Sequence, residues 1–118
     1  MNFRYPIFIL LLLSTQLLRA QTWNSVRAEK LYQQAVIEIK SSQQHKALKS
    51  LEDAIKLNPA HIDAQVQLAR IYMAQKRYDQ SIRTAQLVLR ASPGYEDVYY
   101  YIIGSYLSKN RPGEALRY

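Results

Sequence analysis

Ile62 to Pro93 reads IDAQVQLARIYMAQKRYDQSIRTAQLVLRASP, and the reading of this stretch decides the fold. Leu68, Ala69 and Tyr72 recur at three-to-four spacing and predict one amphipathic helix. Tyr78, Ile82, Ala85 and Leu89 fall on one stripe of a second, with Ser81 and Val88 beside them. The polar run Gln75-Lys76-Arg77 separates the two, and Pro93-Gly94 closes the unit.

The flanking residues repeat the design. From about Asn24 to Lys40, Val26, Leu31, Ala35, Val36 and Ile39 predict a helix, broken at Ser41-Ser42-Gln43. Ala47, Leu48, Leu51, Ala54 and Ile55 predict the next, stopped at Asn58 because the following proline disfavours helical geometry before it. After Gly94, Val98, Ile102, Ile103, Tyr106 and Leu107 predict a fifth. Lys109 to Arg111 breaks it, and a sixth helix of roughly two turns starts near Pro112, which suits a first-turn position. Pro59 and Pro93 lie 93 − 59 = 34 residues apart. The same step carries Ala35 to Ala69 to Ile103, Ala47 to Ser81 to Ala115, Leu51 to Ala85, Ala54 to Val88, and Tyr72 to Tyr106; Leu31 to Gln65 fails it. Small side chains in matching register have a physical task. Ala35 against Ala47, and Ala69 against Ser81, sit where paired helices approach most closely, and Ala54 and Val88 where one pair meets the next.

Helical hairpins at this period mark the tetratricopeptide repeat, which the chain resembles through Ala35, Ala47, Leu51, Ala54 and Pro59, then Leu68, Ala69, Tyr72, Tyr78, Ala85 and Pro93, then Tyr106 and Ala115. The resemblance implies an all-α, right-handed α-solenoid of about two and a half repeats, near 28–61, 62–95 and an incomplete 96–118. It implies a scaffold for protein or peptide partners, with no catalysis and no cofactor. The chain departs from the family pattern at Glu38, where a tyrosine is expected, at Ser81, and at Ile103 with Gly104 one place late. A narrower resemblance, carried by Ala20-Gln21, the run Pro93 to Tyr99 and Glu114-Ala115-Leu116, is to the N-terminal periplasmic part of YaiO-type outer-membrane β-barrel proteins. It makes this chain the expected front end of a longer polypeptide as an alternative reading.

Residues 1–20 are similar to a signal peptide, leaving 21–118 as the repeat domain. Arg4 is basic, Ile7 to Leu13 is unbroken and apolar, and Leu18-Arg19-Ala20 offers a cleavage point. The apolar run falls short of the ~20 residues a membrane helix needs. A periplasmic or secreted bacterial protein is therefore expected, with an uncleaved N-terminal tether on an assembly factor as the alternative. The absence of Cys excludes disulfides, a thiolate metal site and a lipid-modified cysteine. Net charge is +7, and 7 − 2 = +5 once Arg4 and Arg19 are removed. Without a dense basic run, this surplus is read as a solvated surface, and no nucleic-acid partner is expected.

The first helix of each unit in such an array lines its concave face. The candidate groove residues by register are Tyr32, Val66, Arg70, Met73, Tyr100 and Leu107, accompanied by Val36, Ile39 and Gly104, with Asp63 and Asp97 at the rim. An apolar floor with one arginine and two tyrosines suits an amphipathic helix or extended peptide bearing a carboxylate. Val36, Ile39 and Leu107 are read first as contacts between repeats, and Arg70 and Tyr100 as facing the groove. The Lys and Asn with which some family members grip a C-terminal carboxylate are replaced by Tyr32, Val36, Val66 and Arg70, so that activity is not implied. Tyr99, Tyr100 and Tyr101 diverge by about 100° per residue and are expected on three different faces. His45, His61 and the adjacent Glu52-Asp53 read as solvated helix residues, without metal-site or acid/base spacing. With its last helix only begun, the third unit should leave Ile102, Ile103 and Tyr106 largely uncovered, a face for another protein or a second copy.

Overall fold

The computed structural model describes residues 4–118. The elements are α1 Arg4–Lys40, α2 Gln44–Leu57, α3 Ile62–Ala74, α4 Tyr78–Ala91, α5 Glu96–Ser108 and α6 Pro112–Ala115, with no strand among the described residues. Each odd helix pairs with the even one after it, and α2 packs on α3, α4 on α5, and α3 on α5. The result is a right-handed α-solenoid of two full hairpins and a third just begun.

The polar breaks inside each hairpin are one turn used three times. Ser42, Lys76 and Asn110, equivalent under the repeat, take left-handed φ of 59°, 60° and 56°. The next residue's N–H then reaches back to close the helix end: Gln43 to the Glu38 carbonyl at 2.8 Å, Arg77 to Tyr72 at 2.8 Å, Arg111 to Tyr106 at 2.9 Å. This satisfies carbonyls that a helix terminus otherwise orphans. Asparagine tolerates the left-handed region, whereas serine and lysine are strained there. Lys76→Gly should therefore raise the unfolding free energy by about 0.5–1 kcal/mol, since relief of strain outweighs the extra freedom glycine gives the unfolded chain. Urea titration checks it. Between hairpins the logic differs: Asn58 and Ser92 leave the helix with φ of −139° and −144°, as a residue before proline must.

Two core clusters straddle the repeat boundaries. Leu51, Ala54, Leu68, Ile71 and Tyr72 belong to the first, and Val66, Ala69, Ala85, Val88, Val98 and Ile102 to the second. Helix α3 therefore buries two faces, one toward α1 and α2, the other toward α4 and α5. The small residues sit as the register requires: Ala35, Ala47, Ala54, Ala69, Ser81, Ala85 and Val88 are all fully buried. Contact at the second crossing is close enough for the Ser81 hydroxyl to donate to the Ala69 carbonyl at 2.7 Å. Ser81 thus replaces alanine without leaving a polar atom unpaired. Glu38, at the tyrosine position, accepts from the Ser50 hydroxyl at 2.8 Å and so ties α1 to α2. Tyr72 instead donates to Glu52 at 2.9 Å. Burial, and then that carboxylate, push its phenol up to about 12.

Three expectations are corrected. The first helix starts at Arg4, not near Asn24, because no glycine or proline interrupts the chain between Pro6 and Lys40. Ser14, Thr15 and Thr22 do not break it either, since their hydroxyls donate to carbonyls three or four residues back at 2.7–2.8 Å. The apolar residues of this overhang stay exposed, Ile7 to Leu18 at 55–67%. It gives the molecule a 69 Å long axis and a radius of gyration of 19.0 Å, against roughly 13.5 Å for a compact chain of this length. Of the expected leader, Met1 to Phe3 lie outside the described residues. Second, Ile102 is fully buried. It stands where Leu68 stands in the preceding unit, on the face turned back toward the previous hairpin. Ile103 and Tyr106 are half-covered, the latter by the Tyr118 ring stacked at 6.2 Å and by Arg111. Third, α6 is a single turn of four residues.

Candidate peptide-binding groove

The inner face is built by α1, α3 and α5. Tyr32 on α1 is half-buried, and its ring meets that of His61 at 4.9 Å. His61 is far from the solvated residue expected, with a side chain only 8% exposed. Its Nδ1 accepts the Ala64 N–H at 3.2 Å and caps α3, so the ring proton sits on Nε2. From there it is donated to Glu29 of α1 at 3.0 Å. Hydrogen bonds from Gln33 and then from His61 hold the Glu29 carboxyl below its ordinary range. His61→Ala removes a cap and an α1–α3 tie together, and should cost about 1–2 kcal/mol. His61→Asn, which keeps a capping oxygen, should recover part of it in thermal denaturation.

The same place one repeat later belongs to Tyr95, which packs on the second cluster as His61 packs on Tyr32. That cover explains Val66. Expected on the groove floor, Val66 is 5% exposed and belongs to the core that Tyr95 and Tyr101 overlie. Burial and then the nearby Asp63 and Asp97 carboxylates push the Tyr95 phenol up. Burial, followed by Asp63, does the same to Tyr32. Tyr101 is half-buried, lifted by burial against the opposing pull of Arg70. Arg70 lies on α3 with its guanidinium on the Gln67 amide oxygen through two bonds, 3.0 and 2.8 Å.

Tyr100 and Leu107 are large inner-face side chains left mostly exposed, at 67% and 55%. Leu107 is therefore exposed on the inner face and not a buried contact between repeats. It follows Tyr100 by seven residues, two helical turns on one face. Tyr100 and Tyr101 also make an edge contact at 5.8 Å, so two of the three consecutive tyrosines do share a surface. Side chains this long can converge although their Cα–Cβ bonds diverge. Tyr99 turns away and donates to the Pro93 carbonyl at 3.1 Å. Gly104 lets α5 lie close to α3, since a Cβ there would stand 2.9 Å from the Met73 terminal methyl. The structure therefore brings Arg70, Met73, Tyr100 and Leu107 to one inner surface with Tyr32 at its other end. It adds Tyr95 and Tyr101, which register reasoning left out. Glu52 and Asp53 are taken up by Tyr72 and by Lys49 and Lys56 respectively.

Comparison with known proteins agrees with this architecture. The family model described as tetratricopeptide repeat matches residues 27–91, more than half of the chain, and the chain belongs to that family. Similar solved structures include two of MamA, each at 24% identity and a TM-score of 0.73. The likeness covers 80% of this chain and 54% and 51% of those chains. At that identity it shows the shared fold, and the chain spans about half the length of the structures it matches. The search of curated proteins gave no match.

Proposed function

We propose that this protein is an exported tetratricopeptide scaffold of the bacterial cell envelope. It binds a protein or peptide segment along the inner face and carries out no chemistry of its own. Tetratricopeptide repeats serve protein–protein interaction in general; the envelope, the leader and the groove are the specific reading. One observation carries it: Tyr100 and Leu107 stand exposed two helical turns apart on the face to which α3 contributes Arg70 and Met73. An aromatic and a leucine two turns apart suit the apolar side of an amphipathic helix. Nothing about this face resembles a nucleophile with its base, so binding is the chemistry it supports.

The test is capture from envelope extract by wild-type protein, Arg70→Glu and Tyr100→Ala, with Leu87→Ala on the outer helix α4 as control. Loss of the same captured species from both inner-face variants and retention by the control supports the groove. Undiminished capture by both overturns it. A second reading keeps residues 4–20 as a tether. The unbroken α1 and its exposed apolar overhang favour it, although no helix among the described residues is long and apolar enough to cross a membrane. N-terminal sequencing of the exported protein decides between cleavage at Ala20 and retention. In either case an outer-membrane barrel or enzyme following this segment is compatible with the scaffold role.

A further inference from the structure

The net charge of +7, scattered along the sequence, gathers on one edge of the fold. The three segments that turn from an odd helix into the even one after it are residues 40–49, 76–83 and 109–117. They hold 9 lysines and arginines and 2 acids, and 9 − 2 = +7 is the whole surplus of the chain. Because α2 stacks on α3 and α4 on α5, the three turns fall into one row. Lys49, Arg83 and Arg117 are equivalent under the 34-residue step and all exposed; Arg77 and Arg111 are equivalent too. Helix stability does not account for the row. Lys40 and Lys109 suit the C-terminal ends of α1 and α5. Lys46, Arg77 and Arg111, however, stand at the N-terminal ends of α2, α4 and α6, where the helix dipole disfavours a cation. Nor is the row neutralised from within. Lys109 is bonded to Asp79, Arg111 to Glu114 and Lys49 to Asp53, whereas Lys40, Lys46, Lys76, Arg83 and Arg117 pair with no carboxylate among the described residues. The field reaches from turn to turn: the bond from Lys109 and then its charge hold the Asp79 carboxyl below its ordinary range, with Arg83 and Arg111 adding to the pull. At the end of the row, next to Arg117, Leu116 is 88% exposed, although its equivalent Ile82 is buried.

We infer that this turn edge docks on an anionic lipid surface, its cations over the headgroups and Leu116 entering the headgroup layer. A flat surface engages all three turns of the row at once. Each basic side chain adds attraction within a Debye length of the headgroups, about 8 Å at physiological salt. An exposed leucine among them gains apolar burial in a bilayer that an acidic polypeptide in solution does not offer. The edge faces away from residues 4–20. Ser25 of α1 lies beside Asn58 on the opposite edge, and Lys40 is roughly 30 Å along the helix from Ala20. Docking by the turns therefore goes beyond the scaffold reading and depends neither on the inner groove nor on a retained leader.

Flotation of the full chain with lipid vesicles tests it. Phosphatidylcholine vesicles containing about 30% phosphatidylglycerol should bind at least about tenfold tighter than phosphatidylcholine alone, and the gap should close as salt rises. The neutral vesicles report what the apolar overhang contributes by itself. Two triple variants then carry the same charge, 7 − 3 = +4. Lys49→Gln, Arg83→Gln and Arg117→Gln together, one from each turn, should remove most of the preference. Arg27→Gln, Lys30→Gln and Arg90→Gln, toward the opposite edge, should keep it. All six residues are exposed, and circular dichroism verifies that both triples stay folded. Leu116→Ser should weaken binding to the anionic vesicles at unchanged charge. Absence of any preference for anionic vesicles overturns the inference. Equal loss in both triples overturns it as well, since net charge alone would then be at work. Polyglutamate is the competing class of occupant: if it binds through the turns, with loss in the first triple, while vesicles do not bind, the edge serves an acidic polypeptide and the lipid surface is ruled out.

Discussion

Leu51→Ala should destabilise the chain by about 3 kcal/mol, with an accompanying fall in midpoint of roughly 15 °C. Leu51 is fully buried on α2, in the cluster where Leu68, Ile71 and Tyr72 of α3 meet the first hairpin. Truncation there opens a cavity on the seam that α2 and α3 share, and little nearby can collapse into it. Ala35, Ala47 and Ala54 have no side-chain freedom with which to fill space. A solenoid has no contacts beyond nearest neighbours to compensate, so the loss falls on one interface. Leu51→Met preserves volume and should cost under about 1.5 kcal/mol. Urea denaturation of the three proteins, followed by far-ultraviolet circular dichroism, measures both numbers. A Leu51→Ala loss below that of Leu51→Met would mean that the seam is plastic.

The repeat was legible because the physics of close approach acts on residue size, which a sequence states directly. Ala35, Ala47, Ala69, Ser81, Ala85 and Val88 lie where a period of 34 residues puts them, and the left-handed turns at Ser42, Lys76 and Asn110 follow the same period. What escaped was cover, which depends on side-chain reach rather than on spacing. Val66 has the register of a groove residue, yet Tyr95, arriving from the loop before α5, belongs with Tyr101 to the layer over its cluster. His61 looked solvated because its partners, Tyr32 and Glu29, come from α1 about thirty residues earlier. A signal was present for both: His61 and Tyr95 are equivalent under the repeat, and two rings at one junction position point to a shared packing task. The start of α1 escaped for another reason. Where one amphipathic stripe ends, a non-breaking sequence can continue as helix without any partner to bury against, and periodicity does not report that.

Ala69→Leu should cost about 2–3 kcal/mol and act on the α3–α4 crossing. Ala69 is fully buried, its own carbonyl accepting from the Ser81 hydroxyl at 2.7 Å, so backbone and side chain already touch there. Three added carbons must push α4 outward or force Ala85 from its place, and either movement breaks that hydrogen bond. The consequence extends beyond one hairpin. Helix α3 carries Leu68, Ile71 and Tyr72 on one face and Val66 and Ala69 on the other, so displacing α4 also shifts the seat of Val98 and Ile102 on α5. Ser81→Ala serves as the control. It removes the hydroxyl and its bond but adds no volume, leaving one carbonyl oxygen that already accepts in the helix, and should cost under about 1 kcal/mol. Hydrogen exchange separates steric strain from a lost bond. Ala69→Leu should lower protection across α4 and α5 while α1 and α2 keep theirs, whereas Ser81→Ala should leave the pattern unchanged. Loss of protection in the first hairpin as large as in α4 would show that the repeats unfold as one unit and that the α3–α4 crossing has no local energetics of its own.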